Sequence, residues 1–139
     1  MAAPARFVGI VVVSHSSRLA EGVVELASQM AGEDVALVPV GGGPDGSLGT
    51  DAVRIAKAIA AAETGAGVVV IGDLGSAILA TETAIEGLDP ALAGRVRVSA
   101  GPLVEGAVIA AVQASIGQTV DEVLAAADEA RNLDKGVTR

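Results

Sequence analysis

Short apolar runs alternate with amphipathic stretches along the chain. Phe7 to Val13 reads FVGIVVV, a continuous apolar run that predicts a strand buried on both faces. It ends in Ser14-His15-Ser16-Ser17. Behind it Leu19, Val23, Leu26, Ala27 and Met30 recur at helical spacing, and Ser16 or Ser17 supplies a cap. Val35 to Val40 predicts a second strand, followed by GGGPDGSLG, residues 41–49, a loop too rich in glycine and proline for regular structure. Thr50-Asp51 starts a helix with Ala52, Ile55, Ala56 and Ile59 inward. Val68 to Ile71 is a third strand, leading into Gly72-Asp73-Leu74-Gly75-Ser76. Ser76 is placed to cap a helix whose inner face carries Ala77, Thr81, Ala84, Ile85 and Leu88. Arg95 to Ser99 alternates as RVRVS, the pattern of a strand nearer the sheet edge. Gly101-Pro102 opens a further helix with proline at its first position, and Thr119-Val120-Asp121-Glu122 is a capping box for the last. From about Asn132 the chain is expected to fray.

Strands alternating with helices imply βαβ units. The expected architecture is a three-layer, flavodoxin-like α/β fold: a mainly parallel sheet of four to five strands with helices on both faces. In such folds chemistry sits beyond the carboxyl ends of the strands, at the switch point in strand order.

Composition narrows the function. The 139 residues are the length of one domain, read as 1–139 with no linker and no fixed-period repeat. Phe7 is the sole aromatic residue, so stacking on bases and an aromatic sugar platform are both unavailable. Nine Lys and Arg against 17 Asp and Glu give a net charge of −8, which excludes a nucleic-acid footprint. An acidic surface suits a basic protein partner, or solubility alone. The lack of cysteine removes disulfides, thiolate nucleophiles and thiolate metal sites, and no metal site is expected. Met1 to Arg6 lacks the pattern of a signal peptide and no apolar run spans a bilayer, so the expected location is the cytoplasm.

The polar groups after strands one and three carry the chemistry. If those strands are neighbours, His15, Asp73 and Ser76 share one crevice between two helix N-termini. Neutral imidazole is a nucleophile that can take a phosphoryl group and return it. A carboxylate on one ring nitrogen orients the other outward. Hydroxyls and free N–H groups at a helix start hold phosphate oxygens, and Arg18 adds charge. Each residue also has a plainer reading: a surface histidine, an aspartate closing a turn beside glycine, a serine that only caps a helix. Residues 41–49 lack the Gly-Lys-Ser/Thr end of a P-loop and the spacing of a dinucleotide fingerprint, and read as a mobile loop with a binding role. No second histidine exists to activate a serine nucleophile.

At these residues the chain resembles a known family. Val11 to Glu25, VVVSHSSRLAEGVVE, is similar to the active-site segment of the DhaM family, the phosphotransferase subunits of phosphoenolpyruvate-dependent dihydroxyacetone kinases. Leu48 to Val53, Asp73 to Ala77 and Pro102 to Gly106 agree with it in the same order. More distantly the chain is similar to mannose-type IIA domains of the sugar phosphotransferase system. The resemblance implies a flavodoxin-like homodimer in which a histidine takes phosphate from the carrier protein HPr. That phosphate passes to ADP held on DhaL, and the ATP formed phosphorylates dihydroxyacetone on DhaK. No cofactor is bound directly. His15 matches the phosphorylated histidine, and Asp73 and Ser76 match the residues that assist it. Ser16, Ser17, Arg18, Gly75 and Thr50 are the candidate binding residues around it. Some members continue into HPr-like and enzyme-I-like domains, which the 139 residues do not include, so a separate HPr is expected as donor. The extra antiparallel strand of mannose-type domains has no matching apolar run here. Three other roles compete: a IIA component of a mannose-type sugar permease, a phosphorylation-dependent regulatory module, and a plain small-molecule binding domain. The last leaves the His-Asp-Ser grouping without a purpose.

Overall fold

The computed structural model describes residues 6–137. The reading of Met1 to Arg6 as too short for a leader therefore falls almost entirely outside the described residues. Four strands, β1 (Gly9–Ser14), β2 (Leu37–Gly41), β3 (Val68–Gly72) and β4 (Val96–Ser99), form one sheet in the order β2-β1-β3-β4. All three pairings are parallel, so the sheet is wholly rather than mainly parallel among the described residues. It has four strands, the lower of the two numbers expected. Chain order reverses between β1 and β3, which makes their carboxyl ends the switch point.

Helices α1 (Ser17–Ala31), α5 (Leu103–Ser115) and α6 (Val120–Glu129) cover one face. Helices α2 (Ala52–Ala62) and α3 (Gly75–Glu86) cover the other. The two-residue period of a strand divides the core accordingly. Ile10, Val12, Val69 and Ile71 point toward α1, α5 and α6, whereas Val11, Val13, Val68 and Val70 point toward α2 and α3. Every residue of β1 is buried, which is why FVGIVVV carries no alternation.

Several local expectations shift. On α1 the buried residues are Ala20, Val23 and Ala27, while Leu19, Leu26 and Met30 are 44%, 50% and 59% exposed. The neighbour is α5: its Ala107, Ala110 and Ala114 share one core cluster with Ala20 and Val23, and small residues on both helices favour this edge of α1 as the contact. On α2, Ile55 and Ile59 are buried as expected, joined by Ala58 and Ala62. Asp51 caps α2 and the Thr119–Glu122 capping box is complete. Pro102 is the N-cap residue of α5 rather than its first helical residue. A short α4 (Pro90–Ala93), unforeseen, precedes β4, with Asp89 and Pro90 at its start. At the chain end Lys135 pairs with Glu105 at 2.8 Å. Among the described residues no helix is long and apolar enough to cross a membrane.

Candidate functional site

Because β1 and β3 are hydrogen-bonded neighbours, the segments leaving them lie side by side. The Asp73 N–H donates to Val13 O at 3.1 Å, continuing the β1–β3 pairing past the strand ends. That register sets the Asp73 carboxylate against the backbone of the next strand. Oδ2 accepts the Ser14 hydroxyl at 2.9 Å and the His15 N–H at 3.0 Å. Oδ1 faces His15 Nδ1 at 2.9 Å. On the far side of the ring, Nε2 lies 2.6 Å from Ser76 Oγ. His15 is 26% exposed and Asp73 13%, so the ring edge reaches solvent while its brace is covered.

Burial pushes the Asp73 carboxyl up, but the hydrogen bonds from the His15 N–H, the His15 ring and the Ser14 hydroxyl outweigh it and hold the group below its usual 3.8. At neutral pH the carboxylate is ionised and can only accept. In the neutral ring Nδ1 is therefore the nitrogen that carries the proton, and Nε2 presents its lone pair toward Ser76.

The flanking elements are positioned by their own residues. Ser16 caps α1 through the Leu19 N–H at 3.2 Å, deciding between the two serines considered. Ser17 and Arg18 lie exposed in the first turn of α1, and Arg18 makes no hydrogen bond or ion pair among the described residues. The residue that caps α3 is Leu74, not Ser76. Ser76 sits within the first turn, and its hydroxyl goes to the imidazole rather than to the backbone. Gly75 begins that helix with open space where a Cβ would stand. Thr50 is half-buried ahead of Asp51 and is not hydrogen-bonded to the His15 cluster.

The 41–49 loop is anchored at both ends, while residues 44–48 between them are exposed. Arg54 Nη1 donates to the carbonyls of Gly41 at 3.0 Å, Gly42 at 3.1 Å and Gly43 at 3.4 Å. The Gly49 N–H donates to His15 O at 2.9 Å, so the loop holds the histidine backbone directly. A Cβ on Gly41 would lie 2.7 Å from Ser16 O and 2.8 Å from Ser14 O. Only glycine lets β2 end so close to the histidine turn.

Sequence reasoning missed Ser14, Gly41 and Arg54. Ser14 had a signal, being a hydroxyl at the end of an otherwise apolar buried strand. Arg54 had none, because its role depends on a loop path that the sequence does not state. Among the described residues no group of three or more His, Asp or Glu is placed to hold a metal ion.

An imidazole with one nitrogen braced by a carboxylate, the other against a hydroxyl, and two helix N-termini beside it can accept and hold a phosphoryl group. The chain belongs to the EIIA-man family, described as PTS system fructose IIA component, whose sequence model matches residues 9–124. Within that class it is 46% identical over 120 residues to the PEP-dependent dihydroxyacetone kinase, phosphoryl donor subunit DhaM, of Escherichia coli (strain K12). That match covers 84% of this chain and 25% of the relative, so the chain spans a quarter of the relative's length. A DhaM subunit of dihydroxyacetone kinase 2 from Listeria innocua is 41% identical over 117 residues, covering 84% of this chain and 94% of that one. The resemblance seen in the motifs thus extends over most of the chain.

Two solved structures share the fold. A crystal structure of a protein of unknown function superposes with a TM-score of 0.81 at 34% identity, covering 95% of this chain and 99% of that one. The mannose/sorbose specific IIA subunit of the phosphotransferase system from Enterococcus faecalis gives 0.60 at 26% identity, covering 96% and 94%.

Proposed function

We propose that this chain is the phosphohistidine carrier of a dihydroxyacetone kinase, a cytoplasmic phosphotransferase subunit that works as a homodimer. His15 takes phosphate from HPr and passes it to ADP on DhaL, and the ATP formed phosphorylates dihydroxyacetone on DhaK. The observation that carries the reading is the ring clamped between Asp73 Oδ1 and Ser76 Oγ. Identity to the phosphoryl donor subunits supports this assignment over a sugar-permease role.

The geometry suggests the steps. The Nε2 lone pair attacks phosphorus of the incoming phosphohistidine, forming the new N–P bond as the donor's N–P bond breaks. The proton stays on Nδ1, where the ionised Asp73 balances the charge that develops on the ring. Ser76 Oγ occupies the place the phosphoryl group must take, so its hydroxyl moves from Nε2 to a phosphoryl oxygen. The first N–H groups of α3, at Gly75 and Ser76, have no partner within the helix and are free to bind phosphoryl oxygens. Ser16, Ser17 and Arg18 at the start of α1 and Thr50 ahead of α2 are assigned to bind the incoming group in this reading. In the second transfer a terminal phosphate oxygen of ADP attacks, and Nε2 regains its lone pair. No cofactor or metal of this chain's own enters either step. Leu19, Leu48 and Leu74, at 44%, 79% and 62% exposure, lie on segments around His15 and offer an apolar collar that excludes water when a partner docks.

The test is phosphorylation with phosphoenolpyruvate, enzyme I and HPr, followed by mass mapping under mildly basic conditions. His15 should be the sole acid-labile site, and adding DhaL, ADP, DhaK and dihydroxyacetone should discharge it. His15→Ala should fold and block the relay. Stable phosphate on a serine or threonine with none on His15 overturns the reading.

A further inference from the structure

We infer that Ser14 is a positioning residue for phosphoryl transfer at His15. Its hydroxyl fixes both the carboxylate and the turn that present the imidazole. The inference rests on the carrier reading of His15 and adds a residue that the reading does not include.

Ser14 is fully buried, yet both hydrogen-bonding capacities of its hydroxyl are used. It donates to Asp73 Oδ2 at 2.9 Å and accepts the Ser16 N–H at 3.0 Å. The histidine is the residue between. Its backbone is thus held from both sides, by the Asp73 bond to its own N–H and by the serine bond two residues on. With the serine hydroxyl and the His15 N–H both on Oδ2, the carboxylate cannot rotate freely, and Oδ1 is left for Nδ1. Without the hydroxyl, Oδ2 keeps one donor, and the Ser16 N–H loses its partner beside a buried strand end.

The next strand end along the same edge of the sheet, at β4 beside β3, supplies an internal comparison. At the end of β4, Ser99 is 2% exposed and donates to Asp128 Oδ1 at 2.6 Å. The Ala100 N–H donates to the same oxygen at 2.9 Å, and the Gly101 N–H to Ser99 Oγ at 3.0 Å. The same unit therefore recurs: strand-end serine, carboxylate from a neighbouring segment, and two N–H groups of the turn. There the middle residue is Ala100, and no imidazole is present. The unit holds a turn without a histidine, and at β1 it holds the turn that carries one. At both strand ends the serine hydroxyl and the next N–H converge on one carboxylate oxygen, and at β1 the second oxygen is given to the ring.

The pair permits a matched experiment on the full chain: Ser14→Ala against Ser99→Ala. Each removes one buried hydroxyl from the same kind of turn. Two quantities are read, the ring nitrogen shifts of His15 by NMR and the rate of His15 phosphorylation by phospho-HPr and by phosphoramidate. Ser14→Ala should slow both reactions about 10- to 100-fold and mix the His15 tautomers. Ser99→Ala should leave rate and tautomer at parent values, whatever it does to the melting temperature. If Ser14→Ala does not fold, Ser14→Cys keeps the volume with a far weaker donor and should change the tautomer in the same direction. Parent rate and unchanged ring shifts in the Ser14 variants overturn the inference. So does equal slowing in both serine variants with an unaltered tautomer, which reduces Ser14 to stability alone. Should the parent chain accept phosphate from neither donor, the carrier reading fails, while the tautomer comparison still decides the role of Ser14.

Discussion

At the scale of the residue, the site is a matter of which nitrogen carries a proton. Three donors converge on Asp73, and an ionised carboxylate can receive them all. An amide cannot. In Asp73→Asn, the amide oxygen that keeps the Ser14 and His15 N–H bonds forces its NH2 group toward Nδ1. The ring must then turn to the other tautomer, with the proton on Nε2 and the nucleophile lost. Phosphorylation by phospho-HPr should fall by at least about 10-fold, approaching the roughly 10⁴-fold that the same tautomer error costs serine proteases. The fold should be kept. Quench-flow rates and His15 ring shifts check this, and a variant with parent rate and parent tautomer reduces Asp73 to a turn residue. His15 and Asp73 were legible in the sequence, since both stand just past apolar runs. The second function of Ser76 was legible too, but not its loss of the capping one, because the choice of cap depends on where the α3 backbone turns.

At the scale of the element, glycine decides how close two segments come. Gly41 ends β2 against the Ser14 and Ser16 carbonyls, and no flexible side chain is there to move aside. Gly41→Ala should cost about 1–3 kcal/mol by overpacking backbone on backbone. It should also displace the 14–16 turn, so phosphorylation slows together with stability. Thermal unfolding and the rate assay on the same preparation test it, and parent values for both would falsify the account of the close approach. The helix faces show where periodicity stops informing. Leu19, Val23, Leu26, Ala27 and Met30 share one stripe of α1, yet of these only Val23 and Ala27 are buried. Hydrophobic spacing marks a stripe but not which edge of it meets the neighbour. The small residues of α5 and α1 favour the edge that carries Ala20 and Val23.

At the scale of the whole molecule, two carboxylates tie the sheet at opposite ends. Asp73 braces the carboxyl ends of β1 and β3. Glu63, after α2, pairs with Arg95 before β4 at 2.8 Å and accepts the N–H groups of Gly65 and Gly67. Burial pushes Glu63 up, but the Arg95 bond and those two N–H groups prevail and hold it below its usual 4.5. A carboxyl lowered on folding stabilises the native state above its unfolded value, and that contribution is lost as pH falls through the folded value. The melting temperature should hold near neutral pH and drop below about 4.5, and Glu63→Gln should flatten that limb. An identical acid limb in the variant assigns the drop elsewhere. The proposed relay through one histidine leads to the second expectation at this scale. HPr and ADP-loaded DhaL should compete for the same face. A stable ternary complex on one protomer, seen by sedimentation with unphosphorylated proteins, would refute the shared face.

The sequence by itself determined the apolar runs that become the four strands, the alternation that makes the sheet mainly parallel, and the placing of His15 and Asp73 at strand ends. Those features are local: an apolar run, a cap, a turn residue, each readable within a few positions. Only the tertiary structure decided that β1 and β3 are neighbours, with Asp73 Oδ1 2.9 Å from the ring 58 residues earlier in the chain. It also decided that Ser14 is buried as a brace, that Arg54 pins the glycine loop, and that α1 turns its large side chains outward. Each of these rests on which segments pack together, and packing is settled by the shape and volume of partners distant in sequence.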